Sequence, residues 1–178
     1  MAIEKSGPET SSPVAEHHAT SPERLRCVVI TVSDTRTLEN DSGGASVIDH
    51  LERVGHLVVQ REIIADEPTA MRSLLESLRD RSEIDAILLT GGTGISSRDQ
   101  TYETVTSLLT KPLPGYGELF RMLSYQEIGA AALLSRATGG LLGKKVVLTM
   151  PGSPAGARLA MEKIIVPELG HLVREARR

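Results

Sequence analysis

The residues best suited to chemistry gather around one glycine-rich stretch, Gly91-Gly92-Thr93-Gly94, which Ser96, Arg98 and Asp99 follow at once. A loop of this kind between a buried strand and a helix offers backbone N–H groups and the positive helix end to an anion. Its glycines allow positive φ and close approach of a ligand. The same glycines could equally make a tight strand-to-helix turn with no ligand, and glycine spacing alone does not separate the two. The following Thr, Ser, Arg and Asp favour the anion, and a phosphate-bearing ligand is the expectation. No Gly-Lys-Ser/Thr follows, so the loop is not a Walker A motif, and its spacing differs from the dinucleotide fingerprint.

Asp66 and Asp99 follow different strands and could face one phosphate from opposite sides. Mg2+ suits that arrangement, because it commonly takes one or two carboxylates and leaves its other positions to phosphate and water. The competing roles are structural. Asp66 could cap the helix that begins at Pro68, and Asp99 could pair with Arg98 or act as a first-turn acid.

The β-branched run Val28 to Val32 predicts a first strand buried on both faces. Val47, Ile48, Leu51 and Val54 predict a helix with Asp41 or Ser42 as its cap and Gly55 as its stop. Leu57 to Ile64 predicts a second strand, and Met71, Leu74, Leu75 and Leu78 a second helix. Ile84 to Leu89 is a third strand, Thr101 to Leu109 a helix, Lys111 to Gly117 a turn-rich break, and Glu118 to Ala137 one or two helices. Lys145 to Met150 supplies a fourth strand, and a final helical region from Pro154 is interrupted by Pro167. Alternating strands and helices imply βαβ units and a mainly parallel sheet covered on both faces. Ligands bind such sheets beyond the strands' carboxyl ends. Those ends carry Ser33-Asp34, Asp66, the glycine loop and Pro151-Gly152-Ser153-Pro154, so polar residues and glycines concentrate on one edge.

The 178 residues, 40% apolar and 24% charged, fit one ordinary domain. A net charge of −3 with interspersed signs gives no extended positive surface, so no nucleic-acid partner is expected. The sequence contains no signal-peptide pattern and no apolar run long enough for a membrane span, which predicts a cytoplasmic protein without a membrane partner. Residues 1–23, rich in Ser, Pro, Thr, Glu and Ala, are expected to form a disordered tail ahead of a domain at 24–178. His17-His18 in that stretch lacks the further ligands a metal site needs. The single cysteine, Cys27, is expected to be a buried thiol. All four aromatic residues, Tyr102, Tyr116, Phe120 and Tyr125, lie just after the glycine loop, where they could pack the core or stack on a heterocycle. Arg174, Arg177 and Arg178 complement the end of a helix.

Several spaced motifs carry a family resemblance: Thr90-Gly91-Gly92-Thr93-Gly94 with Ser97-Arg98-Asp99, then Pro114-Gly115-Tyr116-Gly117-Glu118-Leu119-Phe120-Arg121, Ser135-Arg136-Ala137 and Pro151-Gly152-Ser153-Pro154. In this order they resemble the MoaB/Mog family of molybdenum-cofactor biosynthesis proteins, from about Cys27 to Leu172. Gly117-Glu118-Leu119-Phe120-Arg121 with Glu127-Ile128-Gly129 is more similar to the MoaB branch. The resemblance implies a three-layer αβα sandwich, a homotrimer or homohexamer, and binding of molybdopterin, a pterin carrying a dithiolene and a terminal phosphate. Mog-type members transfer AMP from ATP to that phosphate with Mg2+ present, releasing pyrophosphate. Asp66 and Asp99 match their two important aspartates, as catalytic and metal-holding residues. Ser33, Asp34, Asp41, Gly91, Gly92, Thr93, Gly94, Ser96, Arg98, Gly152, Ser153 and Pro154 fall in or beside the matching ligand-contacting motifs. The chain departs from the family at Gln100-Thr101-Tyr102, where Val-Thr-Pro is usual, which predicts a different approach into the following helix. The rival function is a molybdopterin- or nucleotide-binding protein of the same pathway without turnover.

Overall fold

A computed structural model describes residues 24–178. The tail expected at residues 1–23, with His17-His18, lies outside the described residues. Strands β1 (Arg26–Val32), β2 (Leu57–Ile64), β3 (Ala86–Thr90), β4 (Lys111–Pro112), β5 (Gly139–Leu142) and β6 (Lys145–Met150) form one sheet in the order β2-β1-β3-β6-β5-β4. The first four of that order run parallel, and β5 and β4 return antiparallel at the far edge. The central strands are apolar on both faces because helices cover both.

Alternation along each strand divides the core. Cys27, Val29, Leu88 and Leu148 face helices α1 (Ser42–Arg53), α4 (Pro114–Ile128), α5 (Pro154–Ala160) and α6 (Val166–Arg177). Val28, Ile30, Ile87 and Leu89 face α2 (Pro68–Arg79) and α3 (Thr101–Leu108) through Met71, Leu75, Leu78 and Val105. The result is the three-layer αβα arrangement with a mainly parallel sheet. Edge strand β2 is half-buried throughout and carries Gln60, Arg61 and Glu62, charges and an amide that discourage pairing with another sheet.

The structure departs from the sequence-based expectation at three places. Lys111 to Gly117 is not simply a turn-rich break: Lys111 and Pro112 pair with Leu141 and Gly140, and α4 begins at Pro114, whose fixed φ suits a first helical turn. The strand β5, which no expectation covered, forms a hairpin with β6 across Gly143 at φ +62°. Pro167 does not break the last helical region. The chain passes through a π segment at Met161–Ile165, where the Val166 N–H donates to the Met161 carbonyl, and the widened turn comes just before the proline that cannot donate.

Cys27 is fully buried, and burial followed by the nearby Asp85 charge pushes its thiol up to about 12, so it is a packing residue. Among the described residues, no helix is long and apolar enough to cross a membrane.

Candidate functional site

Register brings the strand ends together. Thr31 is level with Thr90 and Thr90 with Met150, while Val32 is level with Ile64, so all four parallel strands finish on one edge. Beyond the ends of β1, β3 and β6 opens a cavity of about 470 Å³. It lies where successive connections leave β1 and β3 to opposite sides, the usual crevice of an open α/β sheet. Gly91, Gly92, Thr93 and Gly94 line it from β3, Ser33 and Asp41 from the β1–α1 connection, and Gly152 and Ser153 from β6.

The glycine loop is constrained from both sides. Gly91 has φ +104° and Gly92 φ +62°, conformations that L side chains rarely adopt. A Cβ on Gly91 would overlap the Val32 carbonyl, and one on Gly92 would overlap Thr101 Oγ1 and Asp66 Oδ2. The Gly91 N–H donates to the Met150 carbonyl at 3.0 Å. By contrast, the N–H groups of Gly92, Thr93 and Gly94 have no acceptor among the described residues, and all three residues face the cavity. Consecutive unpaired donors at a strand end form an anion-binding concavity.

The two aspartates sit on opposite sides of this loop. Asp66 is buried under Gly92, and it does not line the cavity. It does not cap α2, because Glu67 holds the cap position, but it accepts from the Gln100 N–H ahead of α3 at 3.1 Å through Oδ1. Burial, followed by the charges of Asp99 and Asp34, pushes its carboxyl up, with the Gln100 bond opposing. Asp99 lines the cavity and accepts from the Ser96 N–H at 2.8 Å through Oδ2. Its alternative pairing with Arg98 does not form. Among the described residues, each aspartate therefore keeps one oxygen without a donor, and the buried Thr101 Oγ1, which like Asp66 Oδ2 lies against Gly92, has no hydrogen-bond partner. Both are hard carboxylate oxygens of the kind magnesium takes, but only Asp99 faces the cavity, while Asp66 Oδ2 lies beneath Gly92.

Other expected ligand contacts are engaged elsewhere. Arg98 does not line the cavity: its guanidinium donates to Asp34 Oδ2 at 2.7 and 3.1 Å and to Glu67 Oε1 at 2.7 Å. Asp34 in turn accepts from the Asp66 N–H at 3.1 Å, so this exposed cluster fastens the loops after β1, β2 and β3 around Asp66. Arg98 hydrogen bonding is the main reason the Asp34 carboxyl lies below its ordinary range. Ser96 holds its own turn, with Oγ accepting from the Arg98 N–H at 3.3 Å. Ser153 caps α5 through the Gly156 N–H, and Pro154 is that helix's first residue and lies off the cavity wall.

Asp41 touches the cavity, but its carboxylate is fully used. Oδ1 accepts from the Gly44 N–H at 2.8 Å, and Oδ2 accepts from Thr31 Oγ1 at 2.7 Å and from Arg61 at 3.0 Å. It is the helix cap the sequence allowed. Burial works against its charge, but the bonds from Thr31, Gly44 and Arg61 outweigh burial and hold the carboxyl below its ordinary range. Asp41→Ala is expected to cost about 2–4 kcal/mol in urea unfolding, combining a lost cap with a broken, largely buried ion pair. A depressed folded pKa means that this stability is present above the ordinary value of 3.8 and fades as pH falls through the lower folded value. The gap between wild type and variant is therefore expected to narrow in acid. A gap unchanged at low pH contradicts the assignment.

Arg136 is the residue whose role spacing did not reveal. Its backbone N–H donates to the Thr93 carbonyl at 3.0 Å, Nε to Gly94 at 2.7 Å and Nη2 to the Asp99 carbonyl at 3.0 Å, while Nη1 pairs with Glu103. Arg136 thus holds the carbonyls of Thr93, Gly94 and Asp99 through its backbone N–H and its guanidinium, while the loop N–H groups remain unpaired among the described residues. The guanidinium also lies 5.3 Å from the centroid of Tyr102, which gives that departure from the family pattern a place in the clamp. The helix after the loop still begins at Thr101. The other aromatics divide: Tyr116 is buried and donates to the Thr149 carbonyl, Phe120 is a core residue whose edge reaches the cavity, and Tyr125 is exposed.

Residues 28–171 match the family described as a probable molybdopterin binding domain. The chain is 52% identical over 167 residues to Molybdenum cofactor biosynthesis protein B of Bacillus subtilis, covering 93% of this chain and 98% of that one. A crystal structure of a Molybdenum cofactor biosynthesis protein B superposes with a TM-score of 0.85 at 46% identity, over 89% of this chain and 99% of that one. The tungsten cofactor synthesizing protein MoaB of Pyrococcus furiosus gives a TM-score of 0.77 at 36% identity, over 89% and 100% of the two chains. With sequence and fold in agreement over nearly the whole described chain, this protein belongs to the MoaB/Mog family of molybdopterin-binding proteins, on its MoaB branch.

Proposed function

We propose that this protein acts in molybdenum-cofactor biosynthesis by binding molybdopterin and transferring AMP from ATP to its terminal phosphate. The observation that carries the reading is three unpaired loop N–H groups flanked by two aspartates, each with an uncommitted oxygen. An oxygen of the molybdopterin phosphate forms a bond to the α-phosphorus of ATP. The bond from that phosphorus to the bridging oxygen breaks, and pyrophosphate leaves with its electron pair. No covalent enzyme intermediate is required.

The N–H groups of Gly92, Thr93 and Gly94 hold the phosphate oxygens and stabilise charge that grows in the transition state. Asp66 and Asp99 would hold Mg2+, which when bound screens the negative charge of the reacting phosphates. Arg136 and the Arg98–Asp34–Glu67 cluster keep the two aspartates in place. Pyrophosphate release is expected to require molybdopterin, ATP and Mg2+ together in a coupled assay.

A second reading, ligand binding without turnover, is favoured by the placement of Asp66 beneath the loop and off the cavity wall, where its carboxylate does not face a ligand in the cavity. Tight calorimetric binding of molybdopterin with no pyrophosphate released would select it.

The same proposal includes assembly into a homotrimer or homohexamer. Leu119, Met122 and Tyr125 follow one another at three-residue spacing on α4 and are substantially exposed, as is Leu133 just beyond. An apolar stripe of this length is an interaction surface on a protein that stays in solution.

A further inference from the structure

Beneath the glycine loop two oxygens come together with no hydrogen bond between them. Thr101, the first residue of α3, is wholly buried, and its Oγ1 has no partner among the described residues. Its backbone N–H donates to the Gly92 carbonyl at 3.1 Å, which seats the residue against the loop. Thr101 Oγ1 and Asp66 Oδ2 lie 2.2 and 2.4 Å from the one point that a Cβ on Gly92 would occupy. They are therefore less than about 5 Å apart, within reach of a direct bond after a small side-chain adjustment or of one bridging water. The Asp66 carboxylate is held at its other oxygen, where the Gln100 N–H donates to Oδ1 at 3.1 Å. A buried hydroxyl left unpaired is costly, and a carboxylate held at a single oxygen can still turn. Each group supplies what the other lacks.

We infer that Thr101 is the positioning residue for Asp66, its hydroxyl donating to Oδ2 directly or through one water. This rests on the reading of Asp66 as part of the adenylyl-transfer machinery. Gln100 and Thr101 are consecutive at the start of α3, so the two bonds fasten both carboxylate oxygens to one helix end. The same helix end carries the loop through the Thr101 N–H, so one residue sets where Asp66 stands relative to the unpaired N–H groups of Gly92, Thr93 and Gly94. Thr101 does not line the cavity, and its influence reaches the chemistry only through Asp66 and the loop. A donating hydroxyl and an orphaned one predict opposite signs for Thr101→Val, because valine keeps the branched shape and removes only the polar group. Loss of a donor leaves Asp66 with an unmet acceptor, whereas loss of an orphan relieves a desolvation cost.

Urea unfolding of the full chain as a cycle of wild type, Thr101→Val, Asp66→Ala and the double variant, alongside steady-state pyrophosphate release, tests this assignment. Thr101→Val is expected to raise the unfolding equilibrium constant about 10-fold or more, the scale of a hydrogen bond to a charged group. With Asp66 already alanine, the same change is expected to shift that constant by less than about twofold, as a coupled pair requires. In turnover, Thr101→Val is expected to lower kcat about 10-fold while KM for ATP and for molybdopterin stays within about twofold. Thr101→Ser keeps the hydroxyl and is expected to recover most of the lost kcat. A Thr101→Val protein as stable as wild type or more so overturns the inference, because that is how an orphaned hydroxyl behaves. Equal costs in the two Asp66 backgrounds overturn it as well, as does a kcat lost equally in Thr101→Ser. Should Asp66→Ala fail to fold, the sign of the Thr101→Val effect and the Thr101→Ser recovery still decide. Absence of pyrophosphate release from wild type overturns the proposed function, and the unfolding cycle then decides the Thr101–Asp66 bond separately.

Discussion

Asp66→Asn is expected to lower adenylyl transfer by about 10²- to 10³-fold, the usual scale for removing one electrostatic contributor to a transition state. The same substitution is expected to leave thermal stability equal to or above wild type. Asn retains an oxygen that can accept from the Gln100 N–H, the contact Asp66 makes at 3.1 Å. It removes an ionised group that burial and two neighbouring carboxylates disfavour. The sign follows from the raised folded pKa. The folded state holds the proton more tightly than the unfolded chain, so stability falls as pH rises from the ordinary value of 3.8 through the raised one. Above that window wild type carries a cost that Asn does not. Pyrophosphate release and a melting curve in neutral buffer check both halves. A destabilised variant with normal turnover contradicts the assignment, because it makes Asp66 a structural acid. A site that retains a destabilising charge for activity is an instance of the wider trade between stability and function.

Gly92→Ala is expected to have the second large effect, on folding and binding alike. Positive φ at this position strains any L side chain, and the new methyl would collide with Thr101 Oγ1 and Asp66 Oδ2. Strain and overpacking together are expected to cost about 1–3 kcal/mol in urea unfolding. Displacing the loop also misdirects its N–H groups, so phosphate-dependent binding is expected to weaken by about 10²-fold or more, given the sensitivity of such sites to small displacements. Gly115→Ala is the matched control. Nothing lies within 4 Å of its added Cβ, and its helical position favours alanine, so no loss is expected. Comparable behaviour of the two variants would show that the loop tolerates a side chain and is no close-fitting cradle.

The parallel half of the fold was readable because it rests on local pattern. Runs such as Val28 to Val32 and Leu57 to Ile64 predict strands, and the stripe through Met71, Leu75 and Leu78 predicts a helix, with no knowledge of distant contacts. The antiparallel edge was not readable for the converse reason. Lys111–Pro112 is too short to show a period, and β5 opens on Gly139 and Gly140, which read as a turn until β6 is beside them. Pro167 suggested interruption, whereas the chain absorbs it with a preceding π turn.

The site was legible in outline and less so in role. Strand-end logic located the glycine loop, Ser33, Asp99, Gly152 and Ser153 on one cavity. It could not say which way side chains turn. Arg98 points across to Asp34 and Glu67, Asp41 is consumed as a cap, and Asp66 lies under the loop with its backbone N–H held by Asp34. Arg136, which fixes the loop's carbonyls, lies 42 residues from Gly94 in sequence, a separation that no local spacing rule spans.

The most direct test of the central claim is an anaerobic incubation of the full chain with molybdopterin, ATP and Mg2+, followed by mass measurement of the small molecules. The account predicts a new species equal to molybdopterin joined to AMP through a phosphoanhydride, with one pyrophosphate formed for each, and its near-absence with Asp66→Asn. Recovery of unmodified molybdopterin bound to the protein, with ATP unconsumed, would contradict it.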